Sequence, residues 1–101
     1  MRFIANTSDI EKYLGVKINE HHSIKNISTD TRFLKKDSIF FAIKGENFNG
    51  NDYVEEALKK GAVIAIADDT RFANSKEEKI IYVEDTTLAL AKISSNIIKD
   101  F

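Results

Sequence analysis

The chain contains no cysteine. That excludes a disulfide framework, thiolate chemistry and any cysteine-based zinc site. Secreted domains of this size often depend on such staples, so a reducing, cytoplasmic setting is expected. No apolar run approaches the length of a membrane span. The opening MRFIANTSDIEKYLG lacks the long apolar stretch and small-residue cleavage site of a signal peptide. Charge of one sign is not in surplus either: 15 basic residues face 16 acidic ones, giving a net charge of −1. The basic residues are scattered, which argues against a nucleic-acid surface built on bulk electrostatics. Histidine is scarce, with two in the chain, His21 and His22. Adjacent residues cannot face one metal as i, i+4 helix ligands do, and no third ligand lies near, so a solvent-facing turn is expected and no metal site.

What is present is ordinary for one globular domain: 101 residues, 43% hydrophobic and 31% charged. A chain this short buries only about 60–65% of its unfolded surface. NTSDIEKYLG reads as a short helix, with Ser8 and Glu11 as a capping box, Ile10 and Leu14 on one face and Gly15 as the stop. Val16–Ile18 reads as a brief extended piece, Ile24–Ser28 as a short strand and Lys35–Asp37 as a turn. Ser38–Ile43 and Ala62–Ala67 are apolar runs without alternation, the pattern of strands covered on both faces. Between them Asn51 is placed to cap a helix over 52–60, with Val54, Ala57 and Leu58 inward and Gly61 as its stop. DDTRFANSKEEK is a polar connection with a loose helical turn, and IIYVE a third strand. Asp85 is placed to cap a last helix with Leu88, Ala91 and Ile97 inward. No internal repeat, low-complexity tract or domain linker is evident. The order predicts a three-layer α/β domain with a mixed, largely parallel sheet, in which 38–43 and 62–67 are parallel neighbours.

Two segments carry candidate chemistry. GENFNG, Gly45 to Gly50, has the glycine spacing of a phosphate-binding P-loop, which then requires Lys and Ser or Thr. Asn51 and Asp52 stand there instead, and a carboxylate would repel the phosphates. The P-loop reading is therefore rejected, and with it ATP hydrolysis by this chain. A strand-to-helix turn remains. STDTR, Ser28 to Arg32, can be read in two ways. On a strand end, Thr29 and Thr31 would point to one side and offer hydroxyls to phosphate or a base edge, with Arg32 adding a planar fork of donors. Alternatively it is an Asx or Ser/Thr turn with Asp30 and Arg32 solvated or paired. Spacing alone leaves both open. The acidic and basic runs VEEALKK and SKEEK read as solvated faces, and Phe40 and Phe41 as core.

The continuous stretch STDTRFLKKDSIFFAIKGENFNGNDYVEEALKKGAVIAIA resembles the N-terminal domain of the Mur ligases, which add residues to the peptidoglycan stem peptide. The family pattern runs D-[ST]-R, a short turn, an lFvAlkG strand, then DGHdF…A…GA. Asp30, Thr31 and Arg32 match the first element, Phe40–Gly45 the strand, and Gly50, Asp52, Tyr53, Ala57, Gly61 and Ala62 the remainder. The resemblance extends over nearly the whole chain. TDTR, KGENFNG and VEDT are more similar to the branch that adds D-alanyl-D-alanine (MurF) than to the branch that adds the third residue (MurE). Asp37 stands where a turn glycine is usual, and Asn49 and Asn51 where Asp and His are common. The resemblance implies that residues 1–101 form one domain holding the UDP end of a UDP-N-acetylmuramoyl-peptide. It places Thr29, Thr31 and the loop Glu46, Asn47 and Phe48 around the uridine, with Asp30 and Gly45 also among the substrate-binding residues. Arg32 and Lys44 are our candidates for the diphosphate, on charge and position. It also implies that ATP and magnesium act in a central domain, followed by a C-terminal domain, beyond IIKDF. The chain itself is then expected to carry no catalytic residue and no cofactor. A free-standing binding module that reuses the fold is the alternative.

Overall fold

Continuous apolar runs set the sheet. In the computed structural model, which describes residues 5–18 and 22–99, Asn26–Ser28, Ser38–Phe41, Ala62–Ala67 and Ile80–Tyr82 form strands β3, β4, β5 and β6. They lie in that order in a four-stranded sheet whose neighbouring pairs are all parallel. A separate antiparallel ribbon joins β1 (Ala5–Asn6) to β2 (Ser23–Ile24). The expected strand at 24–28 is thus divided at Lys25 between the ribbon and the sheet. Val16–Ile18 carries no strand pairing. His22 lies exposed beside the ribbon, and His21 lies outside the described residues.

Both faces of the sheet are covered, which gives three layers. Ile39, Phe41, Ile64, Ile66 and Ile81 pack on one side with Ile10 of helix α1 (Thr7–Leu14) and Ala89 and Ile93 of helix α3 (Thr86–Lys99). Phe40, Ala42, Ala65 and Ala67 pack on the other with Val54 and Ala57 of helix α2 (Val54–Lys59). Alternation along β4 and β5 divides the two cores, and small alanines let α2 approach the sheet closely. The segment joining β4 to β5 contains α2, so the expected parallel neighbours and their connecting helix are found.

Three helix details differ from the sequence reading. Helix α1 starts earlier: Asn6 accepts from the Asp9 N–H at 3.2 Å and Asp9 accepts from the Asn6 N–H at 3.0 Å. Ser8 therefore lies inside the helix, and Glu11 accepts instead from the Ile18 N–H at 2.7 Å. Pairing of Ala5 and Asn6 with β2 keeps them extended, which fixes the cap at Asn6. Asn51 is not a cap. Asn49 caps a 3₁₀ turn over Gly50–Tyr53, and α2 follows it. In α3, Leu88 and Ala91 are exposed, whereas Thr86, Ala89 and Ile93 face inward. Asp85 does cap, accepting from the Leu88 N–H at 3.0 Å. The Ile97 side chain lies outside those described.

Candidate functional site at the carboxyl edge of the sheet

Parallel strands deliver their exits to one edge. STDTR begins with the last residue of β3, KGENFNG follows β4, Asp68–Asp69 follow β5 and Asp85–Thr86 follow β6. The two sequence motifs are therefore brought together, because β3 and β4 are hydrogen-bonded neighbours. In open α/β sheets this edge is where ligands bind.

STDTR is a turn rather than a strand end. Asp30 caps a 3₁₀ turn over Thr31–Phe33, accepting from the Arg32 N–H at 2.9 Å. Alternation of Thr29 and Thr31 is therefore lost: Thr29 is exposed and Thr31 is buried. Lys60 donates to the Thr31 carbonyl at 2.9 Å. The Arg32 side chain is 78% exposed and pairs with Asp30 at 2.7 Å, with its guanidinium over the Phe33 ring at 5.4 Å. The hydrogen bonds from Arg32 hold the Asp30 carboxyl below its ordinary pKa.

The second segment is a closed hairpin. Lys44 and Asn49 form an antiparallel bridge, the Gly45 N–H donates to the Phe48 carbonyl at 2.6 Å, and the Gly50 N–H donates to the Ile43 carbonyl at 2.9 Å. Gly50 is required by close approach, since a Cβ there would lie 2.6 Å from the Ile43 nitrogen. Lys44, Gly45, Glu46, Asn47 and Phe48 are all exposed. The Phe48 ring stacks on Tyr53, with centroids 5.1 Å apart and planes 14° apart. This loop does not fit the phosphates of ATP. Its Gly45 and Gly50 N–H groups turn inward rather than toward a phosphate. Asp52 stands where the P-loop hydroxyl would, paired with Arg71 at 2.7 Å.

Three features were missed in the sequence reading. Tyr53, which completes the aromatic pair, was matched to the family pattern but given no role at the site. A second feature is a short repeat: Asp-Thr-Arg-Phe occurs at 30–33 and again at 69–72. Each copy forms an Asp-capped 3₁₀ turn with the arginine 5.4 Å over its phenylalanine. At the arginine the copies differ: Arg71 bridges Asp69 and Asp52, whereas Arg32 meets its own Asp30. The repeated tetrapeptide was the available signal. The third is a buried polar network. Asn51, 1% exposed, donates to Asp68 and Asn49 at 2.9 Å each and accepts from the Asp68 and Asp69 N–H groups at 3.1 and 3.2 Å. Asp68 also accepts from the Thr86 N–H and hydroxyl at 3.3 and 3.1 Å. Burial pushes the Asp68 carboxyl up, but hydrogen bonds from Asn51 and Thr86 outweigh it and leave the pKa lowered. Among the described residues, no three His, Asp or Glu side chains gather as metal ligands, and no helix is long and apolar enough to cross a membrane.

This geometry agrees with the comparisons. A family model described as "Mur ligase family, catalytic domain" matches residues 23–97. The chain is 43% identical over 79 residues to UDP-N-acetylmuramoyl-L-alanyl-D-glutamate–2,6-diaminopimelate ligase of Rickettsia prowazekii, covering 78% of this chain and 16% of that protein. It is 40% identical over 81 residues to the ligase of the same name from Caldanaerobacter subterraneus, covering 80% and 17%. Among solved structures it is similar to MurF from Acinetobacter baumannii, with TM-score 0.67, 26% identity and coverage of 87% of this chain and 20% of that one. It is also similar to MurF ligase from Thermotoga maritima in complex with ADP, with TM-score 0.65, 28% identity and coverage of 75% and 17%. The chain spans about a sixth of the length of the curated relatives it matches. With the parallel sheet, its paired edge segments and a family match over most of its length, the chain belongs to the Mur ligase family.

Proposed function

We propose that this chain holds the UDP end of a UDP-N-acetylmuramoyl-peptide for an ATP-dependent, amide-forming ligase of peptidoglycan synthesis. The observation that carries this reading is the convergence of STDTR and KGENFNG at the carboxyl edge of one parallel sheet, with exposed donors and an aromatic pair. Phe48 and Tyr53 offer an apolar face to a base, and Thr29 and the loop offer polar contacts beside it. Arg32 and Lys44 supply positive charge for the diphosphate, Arg32 through a planar fork. Gripping the remote UDP orients a long substrate whose peptide end reacts elsewhere, so binding energy from a non-reacting part is used for positioning. The ATP and magnesium of such a ligase act outside this chain, in keeping with the closed loop at Gly45–Gly50.

On the branch, the curated relatives support the ligase that adds diaminopimelate as third residue, because their identity exceeds that of the solved neighbours. The D-alanyl-D-alanine-adding branch is the second reading, favoured by the TDTR, KGENFNG and VEDT segments and by likeness to two MurF structures. Titration of the chain with UDP-N-acetylmuramoyl-dipeptide and -tripeptide, followed by amide chemical shifts, tests the anchor. Shifts confined to 28–32 and 44–53 support it, and no saturable shift there overturns it. Phosphate release by the full-length protein with diaminopimelate or with D-alanyl-D-alanine separates the branches. An open reading frame lacking any ATP-binding segment after Phe101 would favour a free-standing module.

A further inference from the structure

Both stems of the candidate loop are tied to one carboxylate. The incoming stem is held at Ala42, whose carbonyl accepts from the Thr86 hydroxyl at 2.8 Å, and that hydroxyl also meets Asp68 at 3.1 Å. A hydroxyl has one proton, so Thr86 shares it between the two acceptors. The outgoing stem is held at Asn49 and Asn51, and the Asn51 amide reaches the other oxygen of Asp68. Three strand exits, those of β4, β5 and β6, are thereby joined by side chains from positions 51, 68 and 86. Between the stems, Glu46, Asn47 and Phe48 are exposed. The loop's outer shape therefore depends on where its stems are fixed.

We infer that Asn51 and Asp68 are positioning residues, which fix the stems of the 43–49 loop so that Lys44 and Phe48 meet the UDP group without first having to order. This rests on the reading of the loop as a UDP anchor. The pair has a defined polarity: Asn51 donates an amide proton, Asp68 accepts it, and the Asn51 oxygen is occupied by two backbone N–H groups. Asn51→Asp sets two carboxylates against each other. Asp68→Asn turns an amide N–H₂ either toward Asn51 or toward the Thr86 N–H. The exchanged pair, Asn51→Asp with Asp68→Asn, restores one donor facing one acceptor between 51 and 68, while the bond from position 51 to the Asn49 oxygen stays lost. The carboxylate it introduces at position 51 still accepts both backbone N–H groups.

The test measures UDP affinity and amide hydrogen exchange at Gly45 and Gly50 in the chain, well below its melting temperature. Each single variant is expected to weaken UDP binding about tenfold and to speed exchange at both glycines about tenfold, as the loop opens locally. The exchanged pair is expected to recover part of both, since the bond to Asn49 remains lost. An Ile93→Val control lowers the melting temperature through the core that α1 and α3 form on the sheet, seven residues along α3 from Thr86, and should move neither quantity. Single variants that melt earlier but keep UDP affinity overturn the positioning role, as does an exchanged pair no better than either single. If the wild-type chain binds no UDP, the anchor reading falls first, whereas unchanged glycine exchange removes the latch whatever UDP does.

Discussion

Arg32 holds Asp30 side-on: Nε lies 3.1 Å from both carboxylate oxygens and Nη2 lies 2.7 Å from Oδ2. The pair closes within a single turn and stands in solvent, so it orders the turn but secures little of the fold. Its counterpart Arg71 reaches across to Asp52 on another segment. One copy of the same tetrapeptide thus works as a fastener, and the other presents a guanidinium whose Nη1 side faces away from its partner.

Arg32→Ala should weaken UDP binding about tenfold or more, since charge-assisted bonds to phosphate are among the stronger polar contacts. Arg32→Lys should restore only part, because an ammonium cannot reproduce the fork. Both variants should melt within about 2 °C of wild type, as expected for an exposed pair. Affinity by titration calorimetry and melting by circular dichroism check this. Unchanged affinity with a clearly lowered melting temperature would make Arg32 structural.

The lowered pKa of Asp68 sets a pH window. The folded chain keeps this carboxyl ionised more readily than the unfolded chain, whose aspartates titrate near about 3.9. The unfolded state therefore binds more protons in that range, and stability rises with pH. The contribution is complete above the unfolded value and is lost as pH falls through the lower folded one. Asp30 and Asp69, held down chiefly by hydrogen bonds from Arg32 and Arg71, shift in the same direction but are exposed and screened. Melting temperature should hold from about pH 7 to 5 and drop steeply below about pH 4. Asp68→Asn should melt lower at neutral pH and converge on wild type in acid. Parallel curves would remove Asp68 as a stabilising carboxylate.

The strands were legible because burial on both faces leaves continuous apolar runs, and Ala62–Ala67 emerged with the bounds expected of it. The phase of α3 was not. Its inward face is Thr86, Ala89 and Ile93, and a small alanine against a sheet signals burial less strongly than the exposed Leu88 does. The site was half legible. TDTR and KGENFNG could be placed at one edge, since both follow strand ends. The Asn51 network could not, because its Asp68 and Asp69 partners lie 17 and 18 positions away and a local reading of Asn before a helix is a cap. Of the two readings left open for STDTR, the Asx turn with Asp30 and Arg32 paired is the one found, since the hydrogen bond from the Arg32 N–H to Asp30 is local and overrides strand periodicity.

Asp37 occupies a left-handed conformation, φ 66°, at the turn into β4. Its N–H donates to the Gly61 carbonyl at 3.0 Å and its carbonyl accepts from the Lys25 N–H at 2.8 Å, so the conformation is fixed from both sides. A β-carbon there costs roughly 1–2 kcal/mol, less for Asp than for bulkier residues. Asp37→Gly removes that strain but adds about 0.5–1 kcal/mol of unfolded-chain entropy and loses the 3.8 Å pair with Lys25. The outcome should lie within about 1 kcal/mol of wild type. Asp37→Val should destabilise by about 1–2 kcal/mol in urea unfolding. A glycine variant that loses more than the valine variant would show that the side chain, not the backbone angle, matters at this turn.

Gly50→Ala tests the loop from its backbone. Gly50 does not adopt a positive φ, so the constraint is space rather than conformation. The added methyl would sit 2.6 Å from the Ile43 nitrogen and 2.9 Å from the Ala42 backbone carbons. Those atoms cannot rotate away as a side-chain tip can, and the Gly50 to Ile43 hydrogen bond crosses the same gap. The two stems must therefore part, which strains the Ala42–Thr86 and Asn51–Asp68 bonds together. The expected cost is about 1–3 kcal/mol, typical of overpacking, with UDP affinity reduced as strongly as in the Asn51 and Asp68 variants. Gly45→Ala is the control, because a Cβ there meets only the Phe48 carbonyl oxygen at 3.8 Å. It should unfold in urea nearly as wild type. Urea unfolding of the two variants separates stem spacing from a general intolerance of alanine in the loop; equal losses of stability in both would refute the stem account.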